Sequence, residues 1–299
     1  GNLKADGRPI LGLDAKELAK IVLNISEDCM IIPSHAWTPW FGIFGSKYGF
    51  DSIKECFEDY TKYVYAIETG LSSDSLMNWR LSALDKITLI SNSDSHSLQK
   101  IGREANVFDT EINYFSIKDA IKNKDPKRFL YTIEFFPQEG KYHYDGHRVC
   151  GLSFSPKESK KNNNICPKCK KTLTIGVLNR VEELADRPEN FKPENAVGFK
   201  NLIPLEEIIA ESILSTVGSK EVSRHYNNLT SNLPSEFEIL LEAKRNELEK
   251  FSLPEIAEGI IRVREGKVTV EPGYDGVYGK IKIFKEVERS KDLAQKTLF

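Results

Sequence analysis

The sequence predicts an α/β protein of two or three domains carrying a metal-binding insert. Three observations lead there. Strand-like apolar runs alternate with helix-like amphipathic stretches up to about Asn106. Residues 140–171 then turn Gly-, Asn-, Lys- and Cys-rich, with His and Cys at chelating intervals. From about Leu202 the pattern is mainly helical. A chain of 299 residues can bury a sizeable core and divide into such units.

In chain order, Asp14-Ala15-Lys16-Glu17-Leu18 opens a helix, with Asp14 placed to cap it. Ile31-Ile32-Pro33-Ser34-His35 reads as a buried strand running into a loop, and Ile53 to Tyr60 as an amphipathic stretch. Val64-Tyr65-Ala66-Ile67-Glu68 is a second short apolar run, Leu76 to Leu84 a helix, and Ile87 to Ser91 a third run leading into Asn92-Ser93-Asp94-Ser95-His96. Such alternation implies a parallel sheet or barrel, whose chemistry sits on the loops at the carboxyl ends of strands. Each of the three runs ends in a candidate metal or acid–base residue. Residues 109–136 read as a helix and a strand leaving that layer. Leu205 to Ser215 and Glu236 to Lys250 read as long amphipathic helices, and Pro272 to Gly279 as a turn-rich tail before a strand-like Ile281-Lys282-Ile283.

The formal charge of −2 excludes a uniformly basic nucleic-acid binder but not local basic patches. No run of about 18 apolar residues suggests a membrane span, and Gly1 to Asp6 has no apolar core of the kind a signal peptide needs. The cytoplasm is the default expectation. Five cysteines without a leader argue against a disulfide framework. Cys29 and Cys56 sit among apolar neighbours as core thiols, whereas Cys150, Cys166 and Cys169 cluster.

Asp94-Ser95-His96 is an Asp-x-His step; in an extended segment both side chains point one way and can converge on a divalent ion such as Zn²⁺ or Mn²⁺. Read alone, the step is a weak signal, and a polar loop with one histidine is the plainer reading. His35 adds an imidazole from another strand end, and ligands drawn from several strand ends are how barrels build metal sites. Glu68 either holds a ligand histidine in its tautomer or is a surface acid. His147-x-x-Cys150 and Cys166-Pro-Lys-Cys169, fifteen residues apart, have zinc-ribbon spacing: two chelating turns supply a closed tetrahedral set for structural Zn²⁺. His143 is the rival to His147. Lys157, Lys160, Lys161, Lys168, Lys170 and Lys171 crowd this module, as a solvated face or as phosphate contacts. Tyr142, His143 and Tyr144 could stack on bases or pack beneath the ribbon. Trp37 and Trp40, close after His35, could line a substrate groove or plug the mouth of the barrel.

The segments Pro33 to Phe41, Ser91 to Ser97, Gly140 to Cys150, Cys166 to Pro188, Ile256 to Val268 and Pro272 to Phe284 together resemble the endonuclease Q family over essentially the whole chain. The resemblance implies part of a PHP-type (β/α) phosphoesterase barrel in residues 1–136, a zinc-ribbon-like module in 137–200, and a mainly helical C-terminal domain with a turn-rich tail in 201–299. It implies a DNA-repair endonuclease that hydrolyses the phosphodiester 5′ to hypoxanthine, uracil, xanthine or abasic sites, using water activated by Zn²⁺, Mn²⁺ or Mg²⁺. His35, Asp94 and His96 then become metal ligands, Asp94 also orients the attacking water, and Glu68 joins the catalytic set. Trp37, Trp40, Tyr142, Tyr144, Lys168, Lys170 and Lys171 become the candidate DNA contacts. The altered nucleotide would be swung out into a pocket between the three units. PHP proteins open with a His-x-His strand, and no histidine precedes His35. The chain is therefore expected to begin inside the barrel with part of the metal site, exposing sheet edges, which leaves open the activity of this chain alone. Two rival functions are a phosphoesterase for small phosphate esters, which would need neither ribbon nor helical tail, and a non-catalytic DNA-binding remnant. A replication-clamp partner is not readable from the residues.

Overall fold

The computed structural model describes residues 11–285. The segment read above for a leader, residues 1–6, lies outside the described residues.

Helix α1 (Ala15–Ile25) begins where the cap signal placed it; Asp14 has the extended backbone of an N-cap, although its side chain makes no cap bond. The expected strand at 31–35 reduces to a single parallel bridge from Ile31 to Val64. Pro33 supplies no N–H to a ladder, and its carbonyl instead accepts from Glu68 N–H at 2.9 Å. Helix α2 (Ile53–Phe57) is capped by the Ser52 hydroxyl accepting from Glu55 N–H. Strand β1 (Ala66–Glu68) follows, then α3 (Ser75–Asn78), whose N-cap Asp74 accepts from Met77 N–H. Strand β2 (Thr88–Ile90) pairs parallel to β1, with Glu68 opposite Ile90. The helix expected to run from 76 to 84 stops at Asn78 for a tertiary reason: the Arg80 carbonyl accepts from Asp186 and Arg187 N–H, and its guanidinium pairs with Glu182 at 2.6 Å.

Strand β3 (Ala105–Phe108), helix α4 (Tyr114–Asn123) and strand β4 (Phe129–Glu134) come next. The chain then leaves the sheet for the insert: the hairpin of β5 (Asp145–His147) and β6 (Leu152–Phe154), then α5 (Pro156–Lys161) and α6 (Val177–Leu184). It returns as β7 (Gly198–Asn201), parallel to β4 and on the opposite side of it from the antiparallel β3. The rest is a bundle of α7 (Leu205–Ser212), α8 (Lys220–Asn232), α9 (Glu236–Leu241), α10 (Arg245–Phe251) and α11 (Pro254–Arg264), closed by the antiparallel hairpin of β8 (Thr269–Glu271) and β9 (Lys280–Lys282). The single helix expected from 236 to 250 is two. Arg264 on α11 donates to the carbonyls of Ile239, Leu240 and Ala243, the groups a continuing helix would have used.

Two large apolar clusters organise this chain. One joins Trp37, Phe44, Ile53, Ile67, Trp79 and Leu89 to Val177 and Val181 of α6. The other packs Leu205, Ile208, Ile209, Leu229, Leu248 and Ile256 of the bundle against Ile133 of β4. Each such fully buried aliphatic side chain is worth about 1.5–3 kcal/mol. The strand β4 therefore ties the α/β layer to the bundle.

Candidate functional site

The segment after the Ile31 bridge, the last residue of β1 and the loop after β2 bring His35, Glu68 and Asp94 together. His35 Nδ1 lies 3.0 Å from Glu68 Oε2, and His35 Nε2 lies 3.4 Å from Asp94 Oδ2. The backbone N–H of His35 also donates to Glu68 Oε2 at 2.8 Å, and the Asn92 amide donates to Oε1 at 3.1 Å. Glu68 is buried, at 6% exposure, so the surface-acid alternative falls away. Burial pushes its carboxyl up, but the hydrogen bonds from the His35 ring, the His35 N–H and Asn92 outweigh this and hold it below the usual range. A carboxylate on Nδ1 fixes the orientation of the imidazole, with Nε2 toward Asp94. The close approach is possible because residue 70 is glycine: its φ is +58°, and a Cβ there would lie 2.8 Å from His35 Nδ1. His35 and Asp94 themselves hold left-handed φ angles of 46° and 45°.

Asp94 is thus not extended, and the alternation that would align it with His96 does not apply. His96 is exposed, with Nδ1 2.8 Å from the Asp94 carbonyl. Two residues not anticipated from the sequence clamp this loop. Asn106 on β3 accepts from Ser91 N–H and donates to the Ser91 carbonyl and to Asn92, while Arg103 donates to the Ser93 carbonyl at 2.9 Å. Nothing in their local sequence marks them, since polar residues on a short strand are common. Beneath lies a group of buried acids. Burial, then the charges of Glu134 and Glu68, pushes Glu104 up to about 8; burial, then Asp74, pushes Glu134 up to about 8. Glu134 is held by Ser75 and Thr132 hydroxyls.

The second constellation assembles as its spacing foretold. Donor atoms of His147, Cys150, Cys166 and Cys169 lie within 4.8 Å of one another, the one group of three or more such residues found among the described residues. The hairpin turn at Gly151, in the left-handed region at φ 59°, presents His147 and Cys150. The opposing turn is closed by Lys170 N–H on the Cys166 carbonyl and Cys166 N–H on the Lys171 carbonyl, both at 2.8 Å. Burial pushes Cys166 up, but N–H groups of Cys169 and Lys168 and the neighbouring thiols carry it below its ordinary value, while burial and those thiols push Cys150 up to about 11. Three thiols and an imidazole converging on one point fit a cation that compensates thiolate charge. His143, the rival ligand, is buried elsewhere at 3% exposure. The turn-rich tail clasps the module: Asp275 accepts from Arg148 N–H at 2.6 Å and from the Thr174 hydroxyl at 2.7 Å.

The aromatic candidates separate. Trp37 is 0% exposed, packed 4.8 Å from Phe44 with its indole N–H on Asn78 at 2.8 Å; it is a core residue, and its placement among substrate contacts is corrected. Trp40 is partly exposed and meets Tyr142 edge-on at 5.0 Å. Tyr144 stacks on His143 at 5.6 Å. Lys168, Lys170 and Lys171 are exposed, and Lys168 donates to the Cys150 carbonyl at 2.8 Å.

Fold and donor sets define the class: an α/β layer presenting a His–carboxylate site at strand ends, with a His–Cys₃ module inserted between that layer and a helical bundle. Residues 204–267, most of the bundle, match the model of the MJ0043 C-terminal domain family. The chain belongs to the endonuclease Q family. It superimposes on the crystal structure of the lesion-specific endonuclease PfuEndoQ from Pyrococcus furiosus with a TM-score of 0.85 and 31% identity, covering 99% of this chain and 72% of that one. Against endonuclease Q in complex with a 27-mer duplex carrying an abasic lesion at the active site, the TM-score is 0.82 at 31% identity, over 96% and 71% of the two chains. Two uncharacterised proteins are also similar. MJ0043 of Methanocaldococcus jannaschii is 35% identical over 258 residues, and YqxK of Bacillus subtilis 31% identical over 255. The chain spans 31% of the length of the first and 61% of the second. No helix among the described residues is long and apolar enough to cross a membrane.

Proposed function

We propose that this chain carries the DNA-nicking centre of a repair endonuclease that hydrolyses the phosphodiester 5′ to deaminated bases (hypoxanthine, uracil, xanthine) or abasic sites. The observation that carries this reading is the likeness of fold over 99% of the chain to a lesion-specific endonuclease. The strand-end site supports it, since an imidazole nitrogen and a carboxylate oxygen 3.4 Å apart suit a divalent Zn²⁺, Mn²⁺ or Mg²⁺ ion. His35, Asp94 and His96 would hold such an ion, whose chemistry when bound is to acidify water for attack on phosphorus. Glu68 holds the His35 imidazole in place, and Asp94 orients the attacking water. The His147–Cys169 set would hold structural Zn²⁺. Residues 11–136 form the phosphoesterase unit, 137–200 the zinc module and 201–285 the helical unit, with Trp40, Tyr142, Tyr144 and the lysines of the module facing DNA.

The test is nicking of an end-labelled duplex containing one hypoxanthine, with Mg²⁺ or Mn²⁺ present. A single cut 5′ to the lesion, lost in Asp94→Asn, is the expected result. Specific binding of the lesion with no cutting under any metal would replace the nuclease by a DNA-binding remnant.

A further inference from the structure

The loop between β2 and β3 carries Asp94 and His96. It runs from Ser91 to Glu104 with a single 3₁₀ turn, Leu98–Lys100, as its regular structure. Its own apolar side chains do not seat it, since Leu98 is 81% exposed and Ile101 67%. The first half is tied to the α/β layer, through Asn106 on Ser91 and Asn92. The second half leans on the helical bundle. Gly102 has a φ of +82°, and a Cβ there would stand 3.3 Å from Phe237 Cζ on α9. Lys100 Nζ pairs with Glu207 of α7 at 3.1 Å. Gln99, Ile101, Gly102 and Arg103 of the loop line a cavity of about 220 Å³ together with Pro204 and Phe237 from the bundle side.

Phe237 lies outside the apolar core of the bundle, which takes Ile239 and Leu240 from the same helix. Its place is nonetheless fixed, because the preceding Glu236 accepts from Leu205 N–H at 3.0 Å and from the Tyr226 hydroxyl at 2.8 Å. The ring is thus a rigid stop against a glycine that has no side chain in the way. One residue beyond Gly102, Arg103 Nε donates to the Ser93 carbonyl at 2.9 Å. That carbonyl belongs to the peptide joining Ser93 to Asp94. Asp94 holds a φ of 45°, a conformation that persists in a non-glycine residue only where its surroundings impose it. Contacts therefore run from Phe237 through Gly102, Arg103 and Ser93 to Asp94. Of the two anchors on the bundle, the steric one is the stronger. The Lys100–Glu207 side chains are 43% and 33% exposed, and ion pairs open to solvent contribute little.

We infer that the helical bundle positions the metal loop, with Phe237 as the residue that sets it and Arg103 as the link to Asp94. The inference rests on the proposed strand-end metal site and gives the bundle a part in it. Phe237 and Arg103 are positioning residues: they act on the ion through the Asp94 carboxylate, which must stay opposite His35 for the two to share it.

The test is Mn²⁺ binding by the zinc-loaded full chain without DNA, read from the electron paramagnetic resonance of the unbound ion. Amide hydrogen exchange at residues 97–103 of the Mn²⁺-free protein accompanies it. Phe237→Ala removes the stop, and Gly102→Ala pushes the loop off it. Each is expected to weaken Mn²⁺ binding about three- to tenfold and to speed exchange in the loop. Gly102→Ala reaches the contact from the loop, so the comparison survives if Phe237→Ala weakens the bundle. Phe237→Tyr keeps the ring and is expected to stay within about twofold of wild type. The same holds for Leu253→Ala, which trims an apolar residue of similar exposure elsewhere on the bundle. Unchanged Mn²⁺ affinity in Phe237→Ala and Gly102→Ala overturns the inference, whatever the exchange shows. An equal loss in Leu253→Ala also overturns it, because the effect would then be a general loosening of the bundle. Weakened binding in Asp94→Asn alone defeats the inference and leaves the nuclease reading standing. Wild-type Mn²⁺ binding that Asp94→Asn leaves intact defeats the strand-end metal site itself.

Discussion

His35 and Asp94 adopt backbone angles that side chains other than glycine seldom take, and each such residue costs on the order of 1 kcal/mol. Both sit where their side chains face one another, and Glu68 holds the histidine by its ring and its backbone N–H from 33 residues away. Glu68→Gln removes the charge that orients and enriches the imidazole. The expected result is a 10- to 100-fold weaker activation by divalent metal, read as a shift in the Mn²⁺ titration of nicking. Unaltered metal dependence would reduce Glu68 to a structural acid. The buried Glu104 makes a pH prediction. Its folded pKa, about 8, lies above the ordinary carboxyl value, so the folded state retains a proton that the unfolded chain releases. That contribution to stability is complete below the unfolded pKa and is lost as pH rises toward 8. Glu104→Gln is expected to flatten the fall in melting temperature between pH 5 and 8 and to be more stable than wild type at pH 8. Parallel melting curves for the two proteins across that range would refute it.

At the scale of elements, the His/Cys module is two tight turns and a short hairpin with little apolar burial of its own. Cys166 is the one fully buried member of the four, at 0% exposure. Cys166→Ser is expected to abolish stoichiometric zinc and to remove hydrogen-exchange protection at residues 145–175, while β4 and the bundle, which have a separate core, stay protected. Protection retained without metal would show that the hairpin is held by its clasp on the tail instead. Helix limits follow the same reasoning. Local periodicity placed the starts of α1, α7 and α9 correctly, because a cap or an apolar phase is written in neighbouring residues. It overran the end of α3 and the break after α9, where Arg80 and Arg264 draw on partners 21 to 107 residues away.

Across the whole molecule, the formal charge of −2 hides an uneven surface. Exposed lysines of the module stand against an otherwise acidic chain, so DNA affinity should depend on them through counterion release. The triple substitution Lys168→Ala, Lys170→Ala, Lys171→Ala is expected to lower the slope of log K against log salt by about 2 to 3, roughly 0.9 for each phosphate that is no longer neutralised. An unchanged slope would place the DNA path elsewhere on the surface.

The sequence by itself determined the α/β alternation, the helical C-terminal bundle and the grouping of Cys150, Cys166 and Cys169 with a nearby histidine. Each of these depends on spacing within a turn, a helix or a strand, which neighbouring residues dictate. Only the tertiary structure decided that Glu68 is buried against His35, that Trp37 is core, and that His143 is buried elsewhere instead of joining the thiols. Those outcomes depend on which strand lies beside which and on what excludes water from each side chain. Desolvation and sheet register belong to the assembled chain, and no local pattern of residues encodes them.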